Sequence, residues 1–322
     1  MLRILLALAV AAAAAWGGYW FVGARALDQT IAQLLQDHPV LSVDDHVVRG
    51  FPNRFDLTLT APRLEAEALA WQGPFLQVFA LSYRPHHLIV VLPNDQQARM
   101  GETLITLQAA DTRASLVMTP SLTLPLERLA LVMQSPLLQI GTDSHRADAL
   151  RIATRSTDPR LHEAVIEIET GFPDPDWMDR LDPAGAWPRR YDIVRLEGQV
   201  QFDRPLDRTA LEAPLIRPTA VELTGGRLAF DGIDLRATGA VELDEAGRLS
   251  GPVTLTVAGW PELLERLTSS GTVDAEQAGF LRGMLSGMAD PATPETVELP
   301  MTLRDGALAM GPVVLLRMPP LF

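Results

Sequence analysis

The histidines and clustered acids are the side chains whose spacing could do chemistry, and each group points to a particular ion or reaction. Asp143, His145 and Asp148 lie close enough in sequence to offer a divalent metal one imidazole and two carboxylates. Their spacing matches no zinc pattern, so a polar turn between strands is the default reading. Asp174, Asp176, Asp179 and Asp182 gather the hard oxygen ligands that calcium takes. They lack the glycine and the terminal bidentate Glu of an EF-hand loop, which leaves a solvated loop stiffened by proline. His86 and His87 are adjacent, point to opposite faces of a strand, and cannot share one ion. In Gly283-Met284-Leu285-Ser286-Gly287 the serine stands one position late for a nucleophile elbow, inside a helical pattern. Glu167 and Glu169 share the wet face of a strand, as surface acids do. An active-site carboxylate pair need not be close in sequence, so a hydrolase acting on an envelope polymer stays open as a third-ranked reading. No catalytic residue, cofactor or metal ligand is assigned, and an enzyme is not expected.

Composition narrows the field further. The 322 residues include no Cys, which excludes disulfides, thiolate metal sites and a Cys nucleophile. The 27 basic residues are all Arg, against 40 acids, for a net charge of -13. Without Lys there is no phosphate-binding loop of the Walker type. An acidic chain with no basic block also excludes nucleic acid as a partner, because phosphates demand clustered cations. With 47% hydrophobic residues the chain has ample material for a core.

Residues 4–22 carry no charge and lie between Arg3 and Arg25. About 20 such residues cross a bilayer at 1.5 Å each, so the run just suffices as a transmembrane anchor. Trp16, Tyr19 and Trp20 sit at its far end, where amphipathic rings favour the headgroup layer. The flanking charges favour a cytoplasmic N-terminus. A cleaved signal peptide, with Ala13-Ala14-Ala15 as its cleavage site, is the competing reading. The aromatic extension up to Phe21 argues for the anchor.

Ala26 to Gln36 reads as a short amphipathic helix through Leu27, Ile31, Leu34 and Leu35, ended by His38-Pro39. Beyond it, period two takes over. Phe55, Leu57 and Leu59 alternate with Asp56, Thr58 and Thr60, and similar alternation marks Val165 to Glu169, Val194 to Phe202, Val221 to Thr224 and Val297 to Arg304. In the clearest strand Ile233, Leu235, Val241 and Leu243 share one face. A turn at Asp244-Glu245-Ala246-Gly247 follows, and Val253, Leu255 and Val257 resume the pattern. Helices are expected near 260–268 and 274–288. The second carries Gly279, Gly283 and Gly287, a strip read as letting the helix lie tightly on its own sheet. Gly-Phe-Pro occurs at 50–52 and again at 171–173, an offset that suits two similar β halves.

Arg49-Gly50-Phe51-Pro52-x-Arg54-Phe55-Asp56-Leu57, with the apolar segment before it and Asp305-Gly306-x-Leu308-x-x-Gly311-Pro312 near the C-terminus, resembles a family of proteobacterial membrane-anchored envelope proteins classed as a domain of unknown function. Asn53 stands where that family is expected to have an aromatic residue. The cadence from Asp231-Gly232 to Leu249-x-Gly251 is more distantly similar to the repeats of AsmA-like proteins. That likeness implies long curved β-sheets with a hydrophobic groove and a lipid substrate class.

The fold expected is therefore mainly β with a few helices (α+β): an N-terminal transmembrane helix, then an elongated, curved antiparallel β-sheet in two similar halves. The divisions expected are 1–24 as anchor or signal peptide, 25–171, a Pro-rich connection at 172–190, and 191–322. The leading functional expectation is a single-pass inner-membrane protein, mostly periplasmic, whose β-groove binds or shields lipid. Its lining would be Phe55, Leu57, Leu59, Ile233, Leu235, Val241 and Leu243, with Val253, Leu255 and Val257 if their strand turns the same face inward. For each residue an ordinary closed core is the alternative. A non-catalytic module binding another envelope protein ranks second.

Overall fold

Alanine and leucine dominate the first 24 residues, and the helix they favour runs unbroken from Leu2 to Asp37 (α1). The computed structural model describes residues 1–38, 40–66, 69–211, 216–311 and 313–321. Pro39 and Pro312, both used in reading the sequence, lie outside these. The 36 residues of α1 span roughly 54 Å at 1.5 Å each, so the helix is long and apolar enough to cross a membrane and continue beyond it. The amphipathic segment read at 26–36 is thus the end of the same helix, because nothing between Arg25 and Leu27 breaks it. Its half-buried residues Gly23, Ala24, Leu27, Ile31 and Leu35 recur at helical spacing and, with the buried Trp20, form the stripe a sheet can cover.

The chain forms two compact units, the first Met1–Pro120 with Leu129–Thr142, the second Ser121–Arg128 with Asp143–Phe322. The division falls near residue 142, away from the connection expected at 172–190. That stretch joins two directly paired strands and belongs wholly to the second unit.

In the first unit each extended run is interrupted once. The broken runs are Leu41–Ser42 and Asp45–Arg49 (β1, β2), Arg54–Thr60 and Arg63–Glu65 (β3, β4), Leu69–Gln72 and Phe75–Leu81 (β5, β6), Arg84–Leu92 and Asp95–Met100 (β7, β8), Thr103–Gln108 and Asp111–Met118 (β9, β10), and Leu126–Gln134 and Leu137–Ile140 (β11, β12). Two antiparallel ladders result, β2-β3-β6-β7-β10 and β1-β4-β5-β8-β9-β12. Pro62, Pro74, Pro93 and Pro136 stand at the interruptions, where a residue without an N–H costs no ladder bond. Bonds such as Ala61 N–H to the Pro74 carbonyl (2.9 Å) and Ala109 N–H to Asn94 (2.8 Å) tie neighbouring runs together there. One face of the first ladder is apolar, with Val48, Leu57, Val78, Val90 and Ala114 in a single cross-strand row.

The second unit is an antiparallel meander of longer strands: Asp143–Asp158 (β13), Leu161–Phe172 (β14), Tyr191–Phe202 (β15), Pro218–Phe230 (β16), Ile233–Leu243 (β17), Leu249–Ala258 (β18), Thr296–Arg304 (β19), Ala307–Met310 (β20) and Val313–Arg317 (β21). Helix Pro175–Leu181 (α2) lies between β14 and β15, and Trp260–Ser269 (α3) and Ala275–Met288 (α4) lie between β18 and β19. Asp274 caps α4 by accepting from Gln277 N–H at 2.8 Å. The α4 glycines face away from any contact: a Cβ at Gly279, Gly283 or Gly287 would meet nothing within 4 Å. The helix packs instead through Ala278, Leu281 and Leu285, since these side chains supply the apolar area a glycine strip lacks. The two Gly-Phe-Pro triplets also differ in setting. Gly50-Phe51-Pro52 forms the turn between β2 and β3, with Gly50 at φ 101°, whereas Gly171 and Phe172 close strand β14.

The accessible surface is 19764 Å² for 35.1 kDa. Roughly 13,000 Å² is usual for one compact domain of that mass, and roughly 16,000 Å² for two separate ones of half the mass. Part of the excess is the uncovered apolar stretch of α1, where residues 2–16 are all exposed.

Candidate functional site

On β17 the odd-numbered residues form the apolar face, and the strand register carries that face across the second unit in rows. One row runs Leu150, Ile168, Val194, Leu228, Leu235, Val257 and Val297, and the next Ile152, Ile166, Leu196, Gly226, Ala237, Leu255 and Leu299. Helices α3 and α4 close the β17–β19 end: Val257, Trp260, Leu264, Ala278 and Val297 are buried together, with Leu235, Leu255 and Leu299 against them. The corner at Phe230 and Ile233 is sealed by Trp187, Tyr191 and Arg266, whose rings or guanidinium lie within 6 Å of the Phe230 ring. Between β13 and β16 the same rows are open. Ile166 and Leu196, directly paired across β14 and β15, are 42% and 48% exposed, and Leu150, Ile152, Ile168, Val194 and Leu228 are half-buried. Gly226 forms part of the floor, where a Cβ would press on Ala237 and Leu223 at 3.2 Å.

The residues singled out in the sequence fall into three settings. Leu57 and Leu59 are buried in the first unit, and Phe55 lies under α1. Ile233, Leu235, Leu255 and Val257 belong to the closed end. Val241, Leu243 and Val253 share the open rows' face farther along and are half-buried. The open residues Ile166 and Leu196 were missed although their strands alternate, because coverage by a helix from elsewhere in the chain leaves no trace in a strand's own pattern.

The opposite face carries balanced charge. Glu167 accepts from Arg195 and from Arg151 (2.9 Å), and these hydrogen bonds hold its carboxyl below the usual range. Burial pushes Asp234 up, but hydrogen bonds from Arg236 and Arg227 outweigh it and leave the carboxyl below its ordinary value. A hollow of about 630 Å³ on this face, bordered by Gln199, Gln201, Glu222, Glu242 and Ser250 together with Leu161, Ala220 and Ala240, is open to water.

The acids considered as metal ligands hold local structure. Asp174 accepts from Trp177 N–H and Ser144 N–H, both at 2.9 Å, which keeps its carboxyl below the ordinary value. Its own N–H donates to His145 Nδ1. Asp143 pairs with Arg180, Asp179 with Arg189, and Asp182 accepts from Trp187 N–H. Among the described residues no group of three or more His, Asp or Glu is placed to hold a metal.

In the first unit, Trp20 is 6% exposed, stacks on Phe55 with ring centroids 6.0 Å apart, and meets Phe51 edge-on at 5.4 Å. Its indole N–H donates to the Arg54 carbonyl at 2.6 Å. Trp16 donates to the Pro52 carbonyl at 3.0 Å and Tyr19 to Ser82 at 2.7 Å. Gly23 lets the helix approach, since a Cβ there would stand 2.8 Å from the Phe55 ring. The Gly-Phe-Pro turn is thus a clamp on the end of the apolar helix segment.

One apolar helix of membrane-spanning length joined to large antiparallel sheets defines a membrane-anchored, β-sheet-dominated protein. The chain belongs to the DUF2125 family, described as an uncharacterized protein conserved in bacteria, whose model matches residues 20–319. The match takes in Trp20, the clamp and the open rows. No curated protein matches, and no solved structure does.

Proposed function

We propose that this is a single-pass inner-membrane protein whose second unit, on the periplasmic side, holds the acyl chain of a lipid during envelope biogenesis without catalysing a reaction. The observation that carries the reading is the exposure of Ile166 and Leu196 side by side on a face that α3 and α4 close at its other end. Singly exposed apolar residues are ordinary, whereas a contiguous open row in a stable protein marks something that covers it. The open part is two rows wide, about 7 Å, and reaches about 14 Å from β13 to β16. An acyl chain is narrow enough to lie along a strip of that size. The cadence shared with AsmA-like proteins supports the same substrate class. The outer face of α4, where Phe280 is exposed beside the uncontacted glycines, favours a second reading in which another envelope protein docks.

Native mass spectrometry of the full chain released from lipid nanodiscs tests the first reading. A phospholipid-mass adduct at one per chain should survive activation that strips loosely held lipid. Leu196→Asp should abolish it with circular dichroism unchanged. Identical adducts in both proteins would refute the site.

A further inference from the structure

We propose that the turn end of the first unit is itself seated in the headgroup layer of the leaflet from which α1 emerges, so that Phe51-Pro52-Asn53 and Ser82-Tyr83 extend the helix's aromatic belt, with anionic lipid as the preferred partner. This rests on α1 spanning a bilayer and not on the acyl-chain site. Its basis is depth. The turns bond to Trp16, Tyr19 and Trp20, which lie inside the uncharged run of residues 4–22. Trp16 stands six residues before Val22, or about 9 Å back along the helix. A turn bonded to Trp16 reaches the same level as that indole, which belongs at the headgroup boundary.

The exposed chemistry suits that level. Phe51 is 56% and Tyr83 58% exposed, and Phe51 stacks on Phe21 of the helix at 5.5 Å. Both aromatics are available to lipid while being fixed to the anchor. Around them the sheet end is basic, in a chain of net charge -13. Arg49 lies opposite Asp56 in the ladder, Arg54 lies opposite Leu81, and Leu81 lies opposite Arg84, so three strands bring their arginines to one end. Arg54 is bound to Asp56 at 2.7 Å, while Arg25, Arg49 and Arg84 have no carboxylate partner among the described residues. Near an anionic surface each such cation adds attraction that fades within a Debye length. The acids Asp44 and Asp45 lie at the opposite end of the β2–β3 hairpin.

The absence of native Cys makes the test direct. Single-Cys variants Asn53→Cys, Tyr83→Cys, Glu102→Cys and Leu8→Cys of the full chain are spin-labelled in vesicles of phosphatidylcholine, with or without one quarter phosphatidylglycerol. Labels at 53 and 83 should show a several-fold higher ratio of oxygen to nickel-chelate accessibility than the label at 102, approaching the depth of the label at 8. Phosphatidylglycerol should reduce the mobility of the label at 83, and Arg49→Gln with Arg84→Gln should remove that effect while leaving the depth. If 53 and 83 match 102, the seating is overturned. If mobility ignores phosphatidylglycerol, the anionic preference is overturned.

Discussion

The two units solve the same problem differently: each strand presents an apolar face that must be covered. The first interrupts its strands at a line of proline-marked breaks and lays the extended part of α1 against β2 and the start of β3, so that Trp20 is buried on Phe55. The second keeps strands of up to 16 residues and covers only one end with α3 and α4, leaving Ile166 and Leu196 open. Coverage by a helix that belongs to the membrane anchor ties the first unit to the bilayer. Partial coverage in the second leaves part of its apolar face open. Burial of one face is settled element by element.

The largest expected effect is at the clamp. Trp20→Ala removes a buried ring, its stack on Phe55 and its bond to Arg54, and should destabilise the first unit by about 3–5 kcal/mol. Hydrogen exchange should rise across β2, β3 and β6 and stay unchanged across β13–β19. Within the second unit, Leu264→Ala beneath α3 should cost about 2–5 kcal/mol in urea unfolding. Leu196→Ser on the open row should stay within about 0.5 kcal/mol. Equal costs would erase the distinction between closed and open ends.

A pH effect sharpens the picture farther along β14, in the row of Ser156, His162 and Val200. His162 is 1% exposed, edge-on to Phe202, and burial lowers its pKa below the ordinary value. The unfolded chain then binds the proton more readily than the folded one. Its contribution is complete above about pH 6.5 and declines as pH falls toward the lowered folded value. Urea midpoints taken at about pH 7 and 5 should show this loss, and His162→Gln should flatten it. The smallest effect concerns the first unit's core, where the Thr112 hydroxyl is buried without a hydrogen-bond partner. Thr112→Val should be neutral or stabilising by up to about 1 kcal/mol in thermal unfolding.

Much of this architecture was legible because period two is a local property. The β17 alternation from Ile233 to Leu243, the caps and prolines that open α3 and α4, and the uncharged run of α1 all follow from neighbouring residues. The breaks in the first unit were not read, although Pro62, Pro74, Pro93 and Pro136 mark them, because each proline alone also fits a turn. Of the lining expected on β17 and β18, Ile233, Leu235, Leu255 and Val257 lie at the end that α3 and α4 close, and Val241, Leu243 and Val253 lie farther along the same face. Which rows stay open depends on where a later helix folds back, and no strand records that.

The most direct test of the central claim is photo-crosslinking of the full chain in vesicles containing a phospholipid with a diazirine at the acyl terminus, followed by peptide mapping. The account predicts adducts in peptides covering 150–168 and 194–228, lost in Leu196→Asp, in addition to those in α1. Adducts confined to residues 2–24 and the first unit's turns, with none in the second unit, would contradict it.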